Sequence, residues 1–194
     1  YSAQAVFYSS LTNPCTRFVN SLIYAGVALL GAILIPVGSL TVGKPKYAAV
    51  EAEILALNAQ AEALRLRLEQ LVQADADAFV PLAAAYRLPK ETPEQQAHKA
   101  AVLNEALDTA CAVPLEIMSA CCEGIGLAAA YAAKGSVMAV SDAGCAALLC
   151  KAALQAAGLN VSINTRLMAD KAHAAALNAQ ADRMLAEFVP QADA

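Results

Sequence analysis

The chain has 194 residues and a formal net charge of −4, a length that suits one domain with a sizeable core. It contains no block of Lys or Arg, so nothing in the composition indicates a nucleic-acid or an acidic-membrane partner. Hydrophobic residues make up 59% of the chain, much of that content is Ala, and Trp is absent. This composition argues against a large sheet and predicts an all-α fold.

The N-terminal region is almost free of charge. Arg17 is the only charged residue before Lys44, and Phe18–Gly43 is long enough to span a bilayer. Such a segment is either a transmembrane helix or a central helix that protein surrounds on all sides. We favour the central helix, because charge-poor Ala-rich helices recur later and need a surface to bury themselves on. Pro36 and Gly38 are expected to end or kink it.

The clearest amphipathic helix runs from Lys46 to about Gln73. Its apolar positions alternate spacings of four and three: Val50, Ile54, Leu57, Ala61, Leu64, Leu68 and Leu71. Such a stripe predicts packing against a long partner helix, which a second subunit would also offer. The helix is expected to continue through Asp75–Ala85 and to break before Pro89.

Start and stop signals predict the helices that follow. Thr92-Pro93-Glu94-Gln95 has the pattern of a helix start, with Thr at the N-cap, Pro at the first position and Gln at the third. The predicted helices, in order, are Thr92–Cys111, Pro114–Gly135, one capped by Ser141 or Asp142 that ends at Gly158, and Asn160–Phe188, which Pro190 follows. About seven helices in a compact bundle, forming one domain over residues 1–194, are therefore expected.

The cysteines and histidines do not form a metal-binding pattern. The six cysteines show no C-x-x-C spacing, and neither His98 nor His173 has another ligand at a suitable interval, so we predict no metal site. Cysteines in Ala-rich stretches behave as small buried hydrophobes. We therefore predict reduced thiols and a cytoplasmic location.

Three acidic residues are candidates for proton chemistry. Asp142 either caps a helix or provides a carboxylate near a cleft, where burial would raise its pKa toward neutrality. Asp75 and Asp77 stand two residues apart on a helix and point in different directions, so at most one of them faces a cleft.

Lysines in loops are candidates for binding an anion. Lys44, Lys46 and Tyr47 lie at a turn-to-helix junction after the apolar segment, and Lys90 follows Pro89 in another loop. Each lysine is either an ordinary surface residue or part of a carboxylate-binding site.

Six short segments, in order and with the right spacing, resemble the cyclodeaminase/cyclohydrolase family from about Leu40 to the C-terminus. This family comprises the C-terminal domain of formiminotransferase-cyclodeaminase and the bacterial methenyltetrahydrofolate cyclohydrolases. The segments are Thr41–Tyr47, Asp75–Phe79, Tyr86–Lys90, Val113–Glu116, Ser141–Gly144 and Leu159–Asn164.

The resemblance implies a helical homodimer with its site near the subunit interface and a reduced folate as substrate. One family reaction closes 5-formiminotetrahydrofolate to 5,10-methenyltetrahydrofolate with loss of ammonia, and the other opens the methenyl ring with water. Both need a carboxyl group to move a proton or to stabilise a cation, and neither needs a metal or a redox cofactor.

The resemblance also implies roles for individual residues. Asp142 is the first choice for the proton shuttle or cation anchor, and Asp75 is the second. The folate glutamate tail is expected to bind lysines, because lysine suits a flexible anion. The substrate-binding residues expected on this basis are Lys44, Lys46, Tyr47, Lys90, Ser141 and Asn164.

The chain departs from the family pattern near its N-terminus. Family members carry a Pro-x-Pro-Gly-Gly-Gly-Ser segment where this chain has Cys15–Ser21, and glycines allow a backbone to approach a ligand closely. The alternative function is therefore a non-catalytic helical partner protein of the same fold. The Tyr1–Leu40 segment is accordingly distinguished from a family-like region over residues 41–194.

Overall fold

The computed structural model describes residues 35–194, and these residues form α-helices and two short 3-10 turns without a strand. The helices are α1 (Ile35–Thr41), α2 (Glu51–Arg87), α3 (Pro93–Lys134), α4 (Val140–Leu167) and α5 (Lys171–Asp193). The turns are Pro45–Tyr47 and Val137–Ala139. The predicted all-α class is confirmed, but this part of the chain has five α-helices rather than the expected number of about seven.

The capping motif and the end of the amphipathic helix agree with the prediction, but the helix begins at Glu51 rather than at Lys46, which lies in the Pro45–Tyr47 turn. α2 runs through Asp75 and ends at Arg87, before Pro89. The Thr92 hydroxyl accepts a hydrogen bond from the Gln95 backbone N–H, and the Gln95 side chain accepts one from the Thr92 N–H. This reciprocal pair satisfies two N–H groups that a helix start leaves free.

Pro114 was predicted to start a helix, and this prediction is wrong, because Pro114 lies inside α3. A proline has no N–H, so it leaves the carbonyl four residues earlier without its helical partner. That carbonyl belongs to Ala110, and it accepts a hydrogen bond of 2.9 Å from the Asn164 side chain on α4. The tertiary contact replaces the missing backbone hydrogen bond within α3.

Gly158 was predicted to end a helix, but it lies inside α4, which ends at Leu167. A Cβ at this position would lie 3.3 Å from a Leu185 methyl carbon and 3.4 Å from the terminal methyl of Met118. The glycine therefore permits close packing of α4 on its neighbours instead of ending the helix. The last helix consequently begins at Lys171, where Asp170 caps it, and includes Pro190.

α3 occupies the central position among the described helices, packing on both α2 and α4. Its middle section is fully buried, including Ile117, Met118 and Ala120. α3 and α4 each contain an 18-residue window apolar enough to cross a membrane by composition, but 67% of the α3 window is buried by protein. A helix that is apolar on all sides is what a core position requires.

The predicted apolar helix Phe18–Gly43 lies mostly outside the described residues. Its final part is α1, which contains both Pro36 and Gly38. The Cys15–Ser21 segment lies wholly outside the described residues.

Two glycines of α3 provide a matched test of this packing. A Cβ at Gly124 would lie 2.7 Å from the Cys150 sulfur, whereas a Cβ at Gly126 meets nothing within 4 Å. We expect Gly126→Ala to raise the free energy of unfolding by up to about 1 kcal/mol through helix propensity. Gly124→Ala is expected to lower it by about 1–3 kcal/mol through overpacking.

Urea unfolding of both variants measures these changes. Adding Cys150→Ala should relieve the loss in the Gly124→Ala variant, because it removes the sulfur that the new methyl group meets. Equal stabilisation by the two alanines would contradict the close α3–α4 contact.

Candidate functional site

One end of the bundle gathers a polar segment between α1 and α2. Gly43 has a φ of 75°, a left-handed conformation that favours glycine, and turns the chain toward Lys44 and Lys46. The Lys46 ammonium lies 5.3 Å from the centre of the Tyr47 ring. The predicted residues Lys44, Lys46 and Tyr47 therefore share one turn.

This turn packs against the junction of α3 and α4. The Ser136 backbone N–H donates a 3.0 Å hydrogen bond to the Thr41 hydroxyl, and the Ser136 side chain hydrogen-bonds to the Tyr47 phenol. The Ser136 hydrogen bond contributes most to lowering the pKa of Tyr47, and Lys46 and the Val137 N–H lower it further. Phenol, ammonium and hydroxyl groups thus converge in a setting that favours negative charge.

Ser141 and Asp142 lie close to this junction, in the first turn of α4 rather than at its N-cap as predicted, because the helix already begins at Val140. Both are exposed in the single chain. Five predicted residues therefore lie at the same end of the bundle: Lys44, Lys46, Tyr47, Ser141 and Asp142. We call this set the lysine end.

Two buried contacts that the sequence did not reveal anchor the lysine end. The buried Tyr131 phenol of α3 donates a 2.6 Å hydrogen bond to the Asn58 side-chain oxygen of α2. Asn58 in turn packs on Gly38 of α1, where a Cβ would lie 1.8 Å from the same oxygen. These partners are far apart in sequence, so no local pattern could have indicated them.

Asp75 lies in a very different environment. It is 8% exposed, and its Oδ2 atom is buried without a hydrogen-bond partner among the described residues. Burial raises the pKa of Asp75 from its ordinary value of 3.8. Its neighbour Asp77 is exposed and accepts a 2.9 Å hydrogen bond from the Gln73 side chain. One of the two acids therefore faces the interior and the other faces solvent, which agrees with the prediction that they point in different directions.

The level of Asp75 along the bundle follows from the antiparallel pairing of α2 and α3. The Arg67 guanidinium and the Glu123 carboxylate pair at 2.7 Å, and further along α2, Leu82 shares a hydrophobic cluster with Leu107 of α3. Asp75 lies between these two levels, opposite the part of α3 around Pro114. It is about 36 Å along α2 from Glu51 at 1.5 Å per residue.

Asn164 and Lys90 also lie away from the lysine end. Asn164 bonds to Ala110, one turn before Pro114, so it occupies about the same level as Asp75. Along α4 it is about 33 Å from Asp142. Lys90 is exposed in the loop after α2, at the opposite end of the bundle. Within one chain the predicted residues thus lie at three levels of the bundle rather than in one cleft: the lysine end, the level of Asp75 and Asn164, and the loop that contains Lys90.

A surface groove of about 570 Å³ lies between α2 and α3 and contains none of these residues. Leu57, Leu64 and Leu127 line it, and the Arg67–Glu123 ion pair belongs to its wall. The charged residues of its lining are Arg67 and Glu123, which are paired with each other. The groove therefore does not offer the carboxyl group and lysines that the sequence predicts for the site.

Comparisons with known proteins agree with this fold. A crystal structure of formiminotetrahydrofolate cyclodeaminase from Thermotoga maritima superposes with a TM-score of 0.73 at 22% identity, covering 92% of this chain and 85% of that one. A methenyltetrahydrofolate cyclohydrolase from Methylorubrum extorquens is 41% identical over 81% of this chain and 76% of its own length. Mouse formimidoyltransferase-cyclodeaminase is 34% identical over 75% of this chain, which spans 27% of the mouse protein.

The chain thus has the helical fold of a cyclodeaminase. The formiminotransferase-cyclodeaminase family model matches residues 23–183. The chain therefore belongs to the formiminotransferase-cyclodeaminase family, which confirms the resemblance seen in its sequence motifs.

The hydrogen bond between Asn164 and Ala110 predicts that substitutions at Asn164 and Pro114 have coupled effects on the free energy of unfolding. An Asn164 that only bound substrate would show no such coupling. Asn164→Ala leaves the Ala110 carbonyl unsatisfied and is expected to lower the free energy of unfolding by about 1–3 kcal/mol. In a Pro114→Ala background the restored backbone N–H satisfies that carbonyl, so the same change should cost less. Urea unfolding of the four proteins measures the coupling, and strictly additive losses would contradict it.

The raised pKa of Asp75 predicts a dependence of stability on pH. Asp75 keeps its proton to a higher pH in the folded chain than in the unfolded chain. It therefore lowers the free energy of unfolding as pH rises above the ordinary carboxyl range and through the raised pKa. The stability advantage of Asp75→Asn over the wild type should grow across this window and then level off.

Urea unfolding at a series of pH values, from about 4 to about 8, measures this advantage. The matched control is Asp77→Asn, whose exposed position predicts a small difference from the wild type that varies little with pH. A pH-independent advantage of Asp75→Asn would contradict the buried state of the carboxyl group.

Proposed function

We propose that the chain acts in folate one-carbon metabolism as a methenyltetrahydrofolate cyclohydrolase. The observation that carries this proposal is the buried carboxyl group of Asp75, whose Oδ2 has no hydrogen-bond partner, within the fold of the formiminotransferase-cyclodeaminase family. Cyclohydrolase is favoured because the 41% identical relative of that name matches over most of its own length. The non-catalytic alternative is not favoured, because the named relatives are enzymes.

Hydrolysis of the methenyl group requires a side chain that first accepts a proton and then returns it. Water adds to the electrophilic methenyl carbon and gives up one proton to a carboxylate, leaving a neutral tetrahedral carbon that bears a hydroxyl group. One carbon–nitrogen bond then breaks as the hydroxyl oxygen forms the formyl carbonyl and its proton leaves to solvent. The departing nitrogen keeps the bonding electrons and takes the proton from the carboxylic acid, so one water is consumed and one proton is released.

Asp75 suits this exchange better than an exposed acid does. Burial raises its pKa toward the range in which a carboxyl group donates and accepts protons near neutral pH. As a carboxylate it also stabilises the positive charge of the methenyl group, and this attraction is stronger away from water. Asp142, the first choice from sequence, is exposed in the single chain and joins the proposal as the cation anchor or second proton carrier.

The lysine end is the proposed binding site for the anionic part of the substrate. Lys44 and Lys46 provide positive charge there, and Tyr47 and Ser141 provide hydroxyl groups. A flexible dicarboxylate such as the glutamate tail of a folate suits mobile ammonium groups of this kind. Lys90, at the other end of the bundle, is the remaining candidate for the same role.

The fall in absorbance of the methenyl chromophore, followed after mixing with enzyme, tests the proposal. The wild-type chain is expected to accelerate this decay, and Asp75→Asn to reduce kcat by about 10²–10⁴-fold, because an amide does not exchange the proton. Asp77→Asn, on an exposed position of the same helix, is the matched control and should keep its activity.

Two results would contradict the assignment: a wild-type chain with no effect on the decay, or an Asp75→Asn variant as active as Asp77→Asn. Parallel assays with 5-formiminotetrahydrofolate, read as formation of the same chromophore and of ammonia, separate cyclohydrolase from cyclodeaminase activity.

A further inference from the structure

We propose that Lys99 of α3 is a positioning residue, which holds the loop after α2 in the conformation in which Lys90 binds a carboxylate of the substrate. We call the segment Leu88–Glu91 the Lys90 loop. The proposed function leaves two places for the anionic part of the substrate, the lysine end and Lys90, and the contacts of this loop favour Lys90. The identity of the ligand rests on the proposed function, whereas the role of Lys99 rests on these contacts.

Lys99 joins the two sides of the bend at which the chain leaves α2. Its half-buried ammonium group donates a 2.8 Å hydrogen bond to the Tyr86 carbonyl and a 2.7 Å hydrogen bond to the Leu88 carbonyl. Tyr86 belongs to the last turn of α2, whereas Leu88 has a ψ of 143° and is already extended, because a proline follows it. A lysine that only capped the helix would bond to carbonyls of its last turn. Lys99 therefore also fixes the direction in which the loop leaves the helix.

Two further side chains of α3 hold the Lys90 loop. One turn before Lys99, the Gln96 side chain donates a 3.0 Å hydrogen bond to the Lys90 carbonyl. The Lys90 N–H donates a 2.9 Å hydrogen bond to the Glu91 carboxylate, and the Glu91 N–H donates one of 2.9 Å to the Gln95 side chain. Ordering an exposed loop costs conformational entropy, which a binding loop ordered in advance does not lose when its ligand arrives.

These contacts leave the side chain of Lys90 available. Lys90 is exposed, and within residues 35–194 its ammonium group takes part in no hydrogen bond or ion pair. The carboxylate of the adjacent Glu91 is engaged by the Lys90 backbone rather than by its ammonium group. The loop therefore combines a fixed backbone with a free positive charge, which is the combination that suits a carboxylate on a flexible ligand.

The Lys90 loop is also the nearer of the two candidate anion sites to Asp75. Along α2, Asp75 is about 18 Å from Arg87, the last residue before the loop, and about 36 Å from Glu51, the first residue after the turn that carries Lys46. A substrate with its reactive group at Asp75 and its charged tail at Lys90 thus spans the shorter distance. The inward side of α2 between these two points is apolar and consists of Ala78, Leu82 and Ala85.

A second lysine offers a matched control. Lys171 donates a 3.2 Å hydrogen bond to the Arg166 carbonyl and a 2.8 Å hydrogen bond to the Met168 carbonyl, where the chain leaves α4. Lys171→Met therefore removes an equivalent pair of hydrogen bonds and one positive charge at the same end of the bundle, without touching the Lys90 loop.

Amide hydrogen exchange tests whether Lys99 holds the loop. Lys99→Met is expected to speed exchange of the Lys90 and Glu91 N–H groups at least about threefold, because the loop opens more often. Lys99→Arg keeps a charged donor and should restore most of the protection, and Lys171→Met should leave the two rates unchanged. Equal exchange in Lys99→Met and the wild type overturns the positioning role. This measurement needs neither ligand nor turnover.

Steady-state kinetics with the methenyl substrate test what the loop is held for. Lys90→Met and Lys99→Met are each expected to raise KM about threefold to tenfold, with kcat within about twofold of the wild type. Because Lys99 acts through Lys90, Lys99→Met should add little in the Lys90→Met background, whereas a general effect of its charge or of lower stability would add in full. A KM that Lys90→Met leaves unchanged, or fully additive losses, overturns the inference.

Calorimetry with p-aminobenzoylglutamate, the tail fragment of a folate, separates this inference from the proposed function. Lys90→Met and Lys99→Met are expected to raise the Kd of the fragment about threefold to tenfold, and Lys171→Met to leave it unchanged. A chain that shows these changes but does not act on the methenyl substrate would contradict the proposed function alone. A wild-type chain that does not bind the fragment, or binding that is lost in Lys44→Met/Lys46→Met and kept in Lys90→Met, overturns the assignment to Lys90.

Discussion

The hydrogen bond from Asn164 to the Ala110 carbonyl ties α4 to the centre of α3, at the level of Pro114. Without it, the carbonyl that Pro114 leaves free would have no partner, at a cost of about 1–3 kcal/mol. α3 is one rod of about 63 Å at 1.5 Å per residue. α2 and α4 follow this rod along much of its length, so residues near their opposite ends are held far apart.

Local signals account for most of the fold, and long-range contacts account for the errors. The apolar spacing of α2 and the capping box at Thr92 act within one or two turns, so the sequence was sufficient to predict them. Pro114 and Gly158 carry strong local signals for helix ends, but both lie inside helices that contact others: Asn164 bonds to the carbonyl that Pro114 leaves free, and Leu185 packs on Gly158. The sequence alone shows that a proline disfavours a helix at that position. It does not show which residue of another helix bonds to the carbonyl that the proline leaves free.

The same distinction applies to the site. The ordered motifs identified the residue types, and the structure groups Lys44, Lys46, Tyr47, Ser141 and Asp142 at one end. The burial of the two acids, however, does not follow their ranking from the sequence. Asp142, the first choice, is exposed, and Asp75, the second choice, is buried. A carboxyl group at a helix start remains near water unless something covers it, whereas Asp75 occupies the inner side of a stripe that includes Leu71 and Leu82. Whether a carboxyl group is buried or exposed depends on which helices pack together. The spacing of Asp75 and Asp77 determines only the directions of their side chains relative to each other.

The two sides of α4 differ in what they meet. Its inward side is filled with small residues such as Gly158, so it packs closely on its neighbours. Its outward side keeps Leu159 and Ile163, which are 66% and 42% exposed. Because α4 is one continuous helix, it holds Asp142 about 33 Å from Asn164 and so keeps the lysine end apart from the middle of the bundle.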